Sequence, residues 1–221
     1  MDMRRILLSC LLLNAAVMFS QVAQIAKEDT GSEDADSVYH KLTARLRGGD
    51  LSIDFRALRF ACSAARNCEV RGNVNDLSAE SAAIKRGDFD TARQLAEKIL
   101  TRGYADAETH ANLAGIYAKL GEQKRSEFHQ AVVRGLLRSI RASDGGTMST
   151  ALEVISLREI WSTMVSMGLP YQGSSVASQR IQDGGHRYEL MQALDPKTNQ
   201  LKQVYFNLDH VNAAKDVTDR P

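Results

Sequence analysis

The sequence predicts an α+β fold in which paired helices come first and a small antiparallel sheet with one helix comes last. Two observations carry this prediction. Between residues 51 and 143, apolar residues recur at the three- and four-residue spacing of amphipathic helices. After residue 144 the pattern changes to short alternating runs separated by turn signals, which is typical of β-strands joined by hairpins.

The overall charge of the chain excludes some classes of partner. The 221 residues carry a formal net charge of +1, and 43% of them are apolar, which is ordinary for a globular protein. A nearly neutral chain has no basic excess to attract nucleic acid or an anionic membrane surface, so neither is predicted as a partner. No metal-ligand spacing, phosphate loop or nucleophile elbow occurs, so no metal and no cofactor is predicted.

The N-terminus has the pattern of a signal peptide. Arg4 and Arg5 give a positive start, and an uncharged run follows from Ile6 to Phe19. Such a run fits a signal peptide and is too short to cross a bilayer core of about 30 Å comfortably. We therefore expect residues 1–23 to be removed on export, which would leave a periplasmic or secreted protein without a membrane span. An uncleaved anchor is the alternative.

The two cysteines that remain after export are predicted to form a disulfide. An even pair, Cys62 and Cys68, in an oxidising compartment favours a bridge. Six residues do not return to the same face of a helix, so the helix must end between them, with Asn67 as the suggested terminator. Two free thiols are the alternative.

Residues 24–50 are predicted to be a polar, partly flexible leader that includes a short helix from Ser37 to Arg47. A helical segment over residues 51–143 follows. In it, residues 85–88 are echoed 34 residues later by residues 119–122, and Ala92 aligns with Ser126. This period resembles that of the tetratricopeptide repeat, a helix-turn-helix unit. Two unrelated helical hairpins are the alternative.

Residues 144–210 are predicted to form the α+β tail, and residues 211–221 a disordered C-terminus. Ser156 and Glu159 form a capping box that opens a helix bearing four apolar residues: Ile160, Trp161, Met164 and Val165. Turn signals at residues 183–185 and 195–199 separate the later strands. The four strands are expected at residues 151–155, 174–182, 186–194 and 201–208.

Four segments of the chain resemble a bacterial family of exported proteins catalogued as domain of unknown function 4919. Together with the helical repeat, the resemblance covers about residues 50 to 210. The chain has Cys62 and Cys68 where the family is Tyr-rich, and Glu189 where it has Asp. The resemblance implies export and this architecture, and it implies no activity. The segments are Asp54–Arg59, Ser139–Ile140 with Asp144–Gly145, Val154–Ser156, and Gly185–Tyr188 with Tyr205–Asn207.

The polar residues at the end of the predicted sheet are the candidate site. On a strand, His186 and Tyr188 share one face, and pairing of the last two strands brings His186 near residues 208–210. With Asn207 and Asp209, these side chains are candidates for a proton-transfer site or a small polar-ligand site. The alternative is a hydrogen-bonded network that fixes the strand register.

Three other features have simpler interpretations. Residues 144–146 have the composition of an anion-binding loop but are interpreted as a turn. Glu159 is explained by the capping box rather than by acid–base chemistry. His110 and His129 lie on the repeat helices and are interpreted as surface or hairpin-packing residues.

Paired repeat helices present a concave surface, which favours a non-enzymatic, exported module that binds another protein or a peptide. The alternative is a small enzyme, such as a hydrolase, with its site around His186. A groove lined by the repeat helices would favour binding. A pocket beside His186 that contains a buried carboxylate would favour the enzyme.

Overall fold

The computed structural model describes residues 34–69, 73–170, 172–173 and 175–211, and it confirms the α+β fold. The predicted signal peptide and residues 212–221 lie outside these residues. Within the described ranges, no helix is both long and apolar enough to cross a membrane. The helices that precede the sheet in this part are α1 (Ala35–Arg47), α2 (Phe55–Ala64), α3 (Val74–Arg86), α4 (Phe89–Arg102), α5 (Ala107–Lys119) and α6 (Gln123–Ile140).

The tail follows the predicted order of strand, helix and three strands. A 3₁₀ turn (Met148–Thr150) leads into it, and Ser156 caps the helix as predicted. The elements are β1 (Leu152–Glu153), α7 (Leu157–Ser166), β2 (Val176–Asp183), β3 (His186–Leu194) and β4 (Leu201–Asn207).

Helix α1 confirms the short helix predicted from Ser37 to Arg47 within the partly flexible leader, and it begins two residues earlier. Its buried residues Tyr39, Leu42 and Leu46 lie on one face, which packs against the helical core. The Tyr39 hydroxyl accepts a hydrogen bond from the Tyr104 backbone amide at 2.9 Å. Burial of this apolar face holds α1 in place, so the described part of the leader is a packed helix.

Capping side chains define where several helices begin. Asp54, Asp88 and Asp106 each accept hydrogen bonds from backbone amides in the first turn of α2, α4 and α5. These contacts satisfy amide groups that have no partner within a helix. At the other end of α3, Gly87 adopts a φ of 76°, a left-handed conformation that glycine reaches without steric cost.

The helical hairpins agree with the 34-residue alignment at its most informative position. Helix α3 packs on α4, and α5 packs on α6. Ala92 and Ser126 are both completely buried, and the Ser126 hydroxyl donates to the Ala114 carbonyl at 2.8 Å. Small residues are therefore completely buried on α4 and α6 at the two positions that the alignment pairs. Membership of the tetratricopeptide class stays a prediction.

The sheet is mixed rather than purely antiparallel. Its strand order is β1-β4-β3-β2, and β2, β3 and β4 pair in antiparallel fashion as predicted. The expectation was wrong for β1, which pairs with β4 in parallel. The β2–β3 and β3–β4 hairpins each reverse the chain, so β2 and β4 run in the same direction. Strand β1 also runs in that direction, because α7 connects it to β2 and a helical connection permits parallel strands.

The described residues from Ala35 onward belong to one compact unit with two buried clusters. One cluster lies among α1 to α6. The other lies between α7 and the sheet and includes Leu152, Met164 and Phe206. Val211, the first residue of the predicted disordered C-terminus, is buried in this second cluster.

The structure contains the Cys62–Cys68 disulfide, with the two Cα atoms 5.2 Å apart. Helix α2 ends at Ala64, and Ala65 already has an extended backbone. The helix therefore ends between the cysteines, as the spacing requires, but it ends before Asn67. Both cysteines are buried in the helical cluster.

We expect Ala92→Leu to destabilise the protein by roughly 1–3 kcal/mol, because three added carbon atoms must fit into a completely buried contact. Chemical denaturation of the purified protein measures the effect. Ala118→Leu is the control, since Ala118 is exposed on α5 and should tolerate the same change. Equal stability of the two variants would contradict the alignment of Ala92 with Ser126.

Candidate functional site

Three of the four predicted site residues meet at the ends of β3 and β4. The His186 Nδ1 and an Asp209 carboxylate oxygen are 2.6 Å apart. The other Asp209 oxygen accepts from the Arg187 backbone amide at 2.9 Å, and the Asn207 side chain accepts from the Asp209 amide at 2.8 Å. Tyr188 lies opposite Asn207 in the strand register, and its ring centroid is 6.4 Å from that of His186.

This cluster is an open surface contact. The side chain of His186 is 59% exposed and that of Asp209 is 29% exposed. Partial burial raises the pKa of Asp209, but hydrogen bonds from the Arg187 amide and from His186 outweigh it and hold the pKa below its ordinary value. An ionised Asp209 that ties the end of β3 to the end of β4 fits the predicted register network better than a proton-transfer site.

Glu159 and Arg59 form a buried ion pair that joins the tail to the helical part. The Arg59 Nε and Nη2 donate to the two Glu159 oxygens, each at 2.7 Å, and Arg59 is completely buried. Arg59 also donates to the Glu153 carbonyl at 2.7 Å and to the Ser139 hydroxyl at 3.3 Å. The Ile155 amide donates to Glu159 at 2.9 Å.

The interpretation of Glu159 as part of a capping box is therefore half correct. The Ser156 hydroxyl accepts from the Glu159 amide at 3.4 Å, which is the first half of the box. The Glu159 carboxylate does not complete it, because it binds Arg59 and the Ile155 amide instead. A partner 100 residues away in the sequence leaves no local signal.

Three of the four segments that resemble the exported family meet at this ion pair. Arg59 ends the first segment, Ser139 begins the second, and Ile155 lies in the third. These three segments therefore contribute to one buried network. This role is structural, since the network is enclosed.

A second polar cluster lies beside the first. Arg158 binds Asp106 and Glu108, each at 3.1 Å, where α7 meets α5. Glu80 is buried nearby and accepts a hydrogen bond from the Asn112 side chain at 3.2 Å. Burial raises the pKa of Glu80 to about 7, and the negative charge of Asp106 adds to the effect.

His110 and His129 form a buried pair between α5 and α6, so the packing interpretation fits and the surface interpretation is wrong. Their Nδ1 atoms are 2.8 Å apart, and the His110 Nε2 lies 3.0 Å from the Tyr104 carbonyl. Since that carbonyl can only accept, His110 carries its proton on Nε2 and accepts at Nδ1 from His129. Burial lowers the pKa of both rings to about 4.

The turn interpretation also fits residues 144–146. The Gly146 amide donates to the Asp144 side chain at 2.9 Å, and the Gly145 amide donates to the Thr150 carbonyl at 3.0 Å. Both amides are used within the protein. They are therefore not directed at an anion.

An apolar groove of about 460 Å³ lies between α5, α6 and α7. Trp161 is 42% exposed and Val165 is 55% exposed on its α7 side. Val133 and Leu137 line its α6 side. A second hollow of about 630 Å³ between α7 and the sheet also includes Trp161, so this side chain borders both spaces.

The sequence contained a signal for this groove. The four apolar residues of α7 form a stripe that is too wide for one contact. Ile160 and Met164 are buried against the sheet, while Trp161 and Val165, each one position further round, are left at the surface. The width of an apolar face can therefore indicate a second contact surface.

The architecture defines an α+β protein in which helical hairpins and a small mixed sheet share one compact unit. Comparison of the chain with protein-family models, curated proteins and solved structures found no match. The resemblance to the exported family therefore rests on the four segments alone and stays a prediction. Among the described residues, no cluster of three or more His, Cys, Asp or Glu could hold a metal ion.

We expect Glu159→Gln to destabilise the protein by about 3–5 kcal/mol, because it leaves the Arg59 charge buried without a counter-charge. Urea denaturation measures the loss. Arg180→Gln is the control, since it breaks an ion pair in which the arginine is exposed and should cost less than about 1 kcal/mol. A similar small loss in both variants would mean that the buried pair does not join the two parts.

The histidine pair should make the protein less stable in acid. With folded pKa values near 4 against an ordinary 6.5, His110 and His129 bind protons more readily when unfolded. The contribution of the two neutral rings to the free energy of unfolding is complete above pH 6.5. It is lost as the pH falls towards 4, by up to about 3 kcal/mol for each ring. Denaturation curves between pH 7 and pH 4.5 measure this trend.

Protonation of Glu80 should have the opposite effect on the stability of the protein. Its raised pKa means that the folded state binds the proton more readily, so its contribution is complete below pH 4.5 and is lost as the pH rises through 7. In acid, protonation of Glu80 offsets part of the stability that the histidine pair loses, and Glu80→Gln removes this offset. The stability of that variant should fall more steeply on acidification than that of the unaltered protein, and a shallower fall would contradict the assignment.

Proposed function

We propose that this chain is an exported, non-enzymatic module that binds a protein or peptide partner in the groove between α5, α6 and α7. The exposed apolar lining of that groove is the observation that carries the proposal. Water-exposed Trp161 and Val165 lie in a concavity formed with Val133 and Leu137. A partner side chain buried there would remove apolar surface from water, which favours association.

The residue types in the groove support a binding role. Tryptophan is enriched among the residues that dominate binding energy, above all where it lies in a concave, desolvated centre. Trp161 borders two adjacent hollows, so an extended partner segment has room on both sides of the ring. The volumes of these two hollows suit a few side chains of a partner.

Two observations support the exported location. The charged start and uncharged run of residues 1–19 have the pattern of a signal peptide. The Cys62–Cys68 disulfide is a bond that persists in oxidising compartments outside the cytoplasm.

The enzyme alternative has weaker support. It requires a pocket beside His186 with a buried carboxylate, whereas the His186–Asp209 contact lies at the open end of the sheet. The Asp209 carboxylate in that contact also accepts from the Arg187 backbone amide, which ties the start of β3 to the segment that follows β4. No observation at this cluster favours hydrolysis over a structural role.

Site-specific photo-crosslinking in the native host tests the proposal. A photoreactive residue at position 165 should give an adduct with another protein, identified by mass spectrometry. The same residue at position 74 is the matched control, because Val74 is 54% exposed and Val165 is 55% exposed. Position 74 lies on α3, outside the groove, and should give no such adduct.

Groove variants separate specific binding from chance contact. Trp161→Ala should remove the adduct at position 165, because it deletes the largest apolar surface of the groove. Equal adducts at positions 74 and 165, or an adduct with a second copy of this chain alone, would contradict a separate partner.

A further inference from the structure

An arginine ridge borders the proposed groove on α6. It consists of Arg134 and Arg138 on α6 and of Arg141, the residue that directly follows this helix. Their spacings of four and three residues place them along one side. Each residue advances about 100° around a helix, so Arg134 lies about 100° from Val133 in the groove wall. The ridge follows the edge of the apolar surface.

The three ridge side chains are exposed, and none of them forms a hydrogen bond or ion pair with another described residue. Several other arginines are paired within the protein. Arg93 and Arg125, for example, both contact Glu122. Like charges four residues apart repel each other on a helix, so the ridge carries a small cost unless an anionic group approaches it.

The far side of the ridge contains a hollow of about 420 Å³. Arg134 and Arg138 line it together with Arg56, Ser52 and Ser139. Asp54, whose carboxylate caps α2, also lines the hollow. Arg56 is already bound to Glu153, so the two ridge arginines are the cationic groups of this hollow that remain available to a ligand. Guanidinium groups bind carboxylates in a bidentate geometry, and the hollow has room for such side chains.

The opposite edge of the groove differs in charge. Glu108 lies there on α5, and its carboxylate is bound to Arg158. One edge is therefore cationic and available, whereas the other edge is acidic and already paired. This asymmetry distinguishes the two edges of any segment that occupies the groove.

We infer that the partner segment is an amphipathic helix that places its apolar face in the groove and a row of acidic residues over the arginine ridge. The inference rests on the proposed function and specifies the chemistry of its partner. A helix presents an apolar stripe beside a charged edge at the spacing that the groove and the ridge have. Charge complementarity also fixes the direction in which that helix lies.

Two synthetic helical peptides test the inference. Both carry the same apolar face, and one has glutamates along the adjacent edge where the other has lysines. Fluorescence anisotropy with labelled peptides measures their affinities for the purified protein. At low salt the glutamate peptide should bind about tenfold more tightly, and the difference should shrink at 0.5 M salt because exposed charges are then screened.

Substitutions locate the effect. The double variant Arg134→Gln, Arg138→Gln should lose the preference for the glutamate peptide while still binding both peptides. Arg86→Gln is the matched control, since Arg86 is an exposed arginine on α3, away from the groove, and its loss should leave the preference unchanged.

The outcomes distinguish the two proposals. Binding of both peptides with equal affinity, or tighter binding of the lysine peptide, would overturn the inference and leave the groove as a binding site. If Val165→Asp abolishes the binding of both peptides, the groove is their site. Binding of neither peptide to the unaltered protein would overturn the proposed function and the inference together.

Discussion

The buried Arg59–Glu159 pair is the interaction on which the arrangement of this protein depends. Two charges removed from water are costly unless every donor and acceptor is satisfied. Here the guanidinium reaches the carboxylate twice and also binds the Glu153 carbonyl and Ser139, while the carboxylate also accepts from the Ile155 amide. These contacts join α2, α6, β1 and α7 at one point. A shift of any of these elements would leave a buried charge without a partner, so the pair fixes one arrangement of the helical part and the tail.

The groove follows from that fixed position of α7. Its first turn is held on one side by the Glu159 contact and on another by Arg158, which binds Asp106 and Glu108 at the start of α5. The next face buries Ile160 and Met164 against the sheet. Trp161 then faces the groove between α7 and α6, where it is only partly buried. Because these contacts hold α7 in place, the groove needs little reordering when a partner binds. This lowers the entropic cost of association.

Local patterns predicted the secondary structure well and the long-range contacts poorly. Strand β3 has the predicted bounds, and Ser156 caps α7 as expected, because alternation and capping act within a few residues. The parallel pairing of β1 was missed, because strand direction depends on the path of the whole tail. At the candidate site, the approach of His186 to Asp209 followed from hairpin register, whereas the exposure of that contact did not.

The sequence by itself indicated the order of helices and strands, the serine that caps α7, which small residues recur after 34 positions, and which cysteines were available to pair. Each of these depends on neighbouring residues or on residue type alone. Only the tertiary structure decided that Glu159 binds Arg59 rather than closing its own cap, that His110 and His129 share a buried hydrogen bond, and that Trp161 stays partly exposed. Burial and pairing of charge arise where segments distant in sequence meet, so a pattern of neighbours cannot specify them.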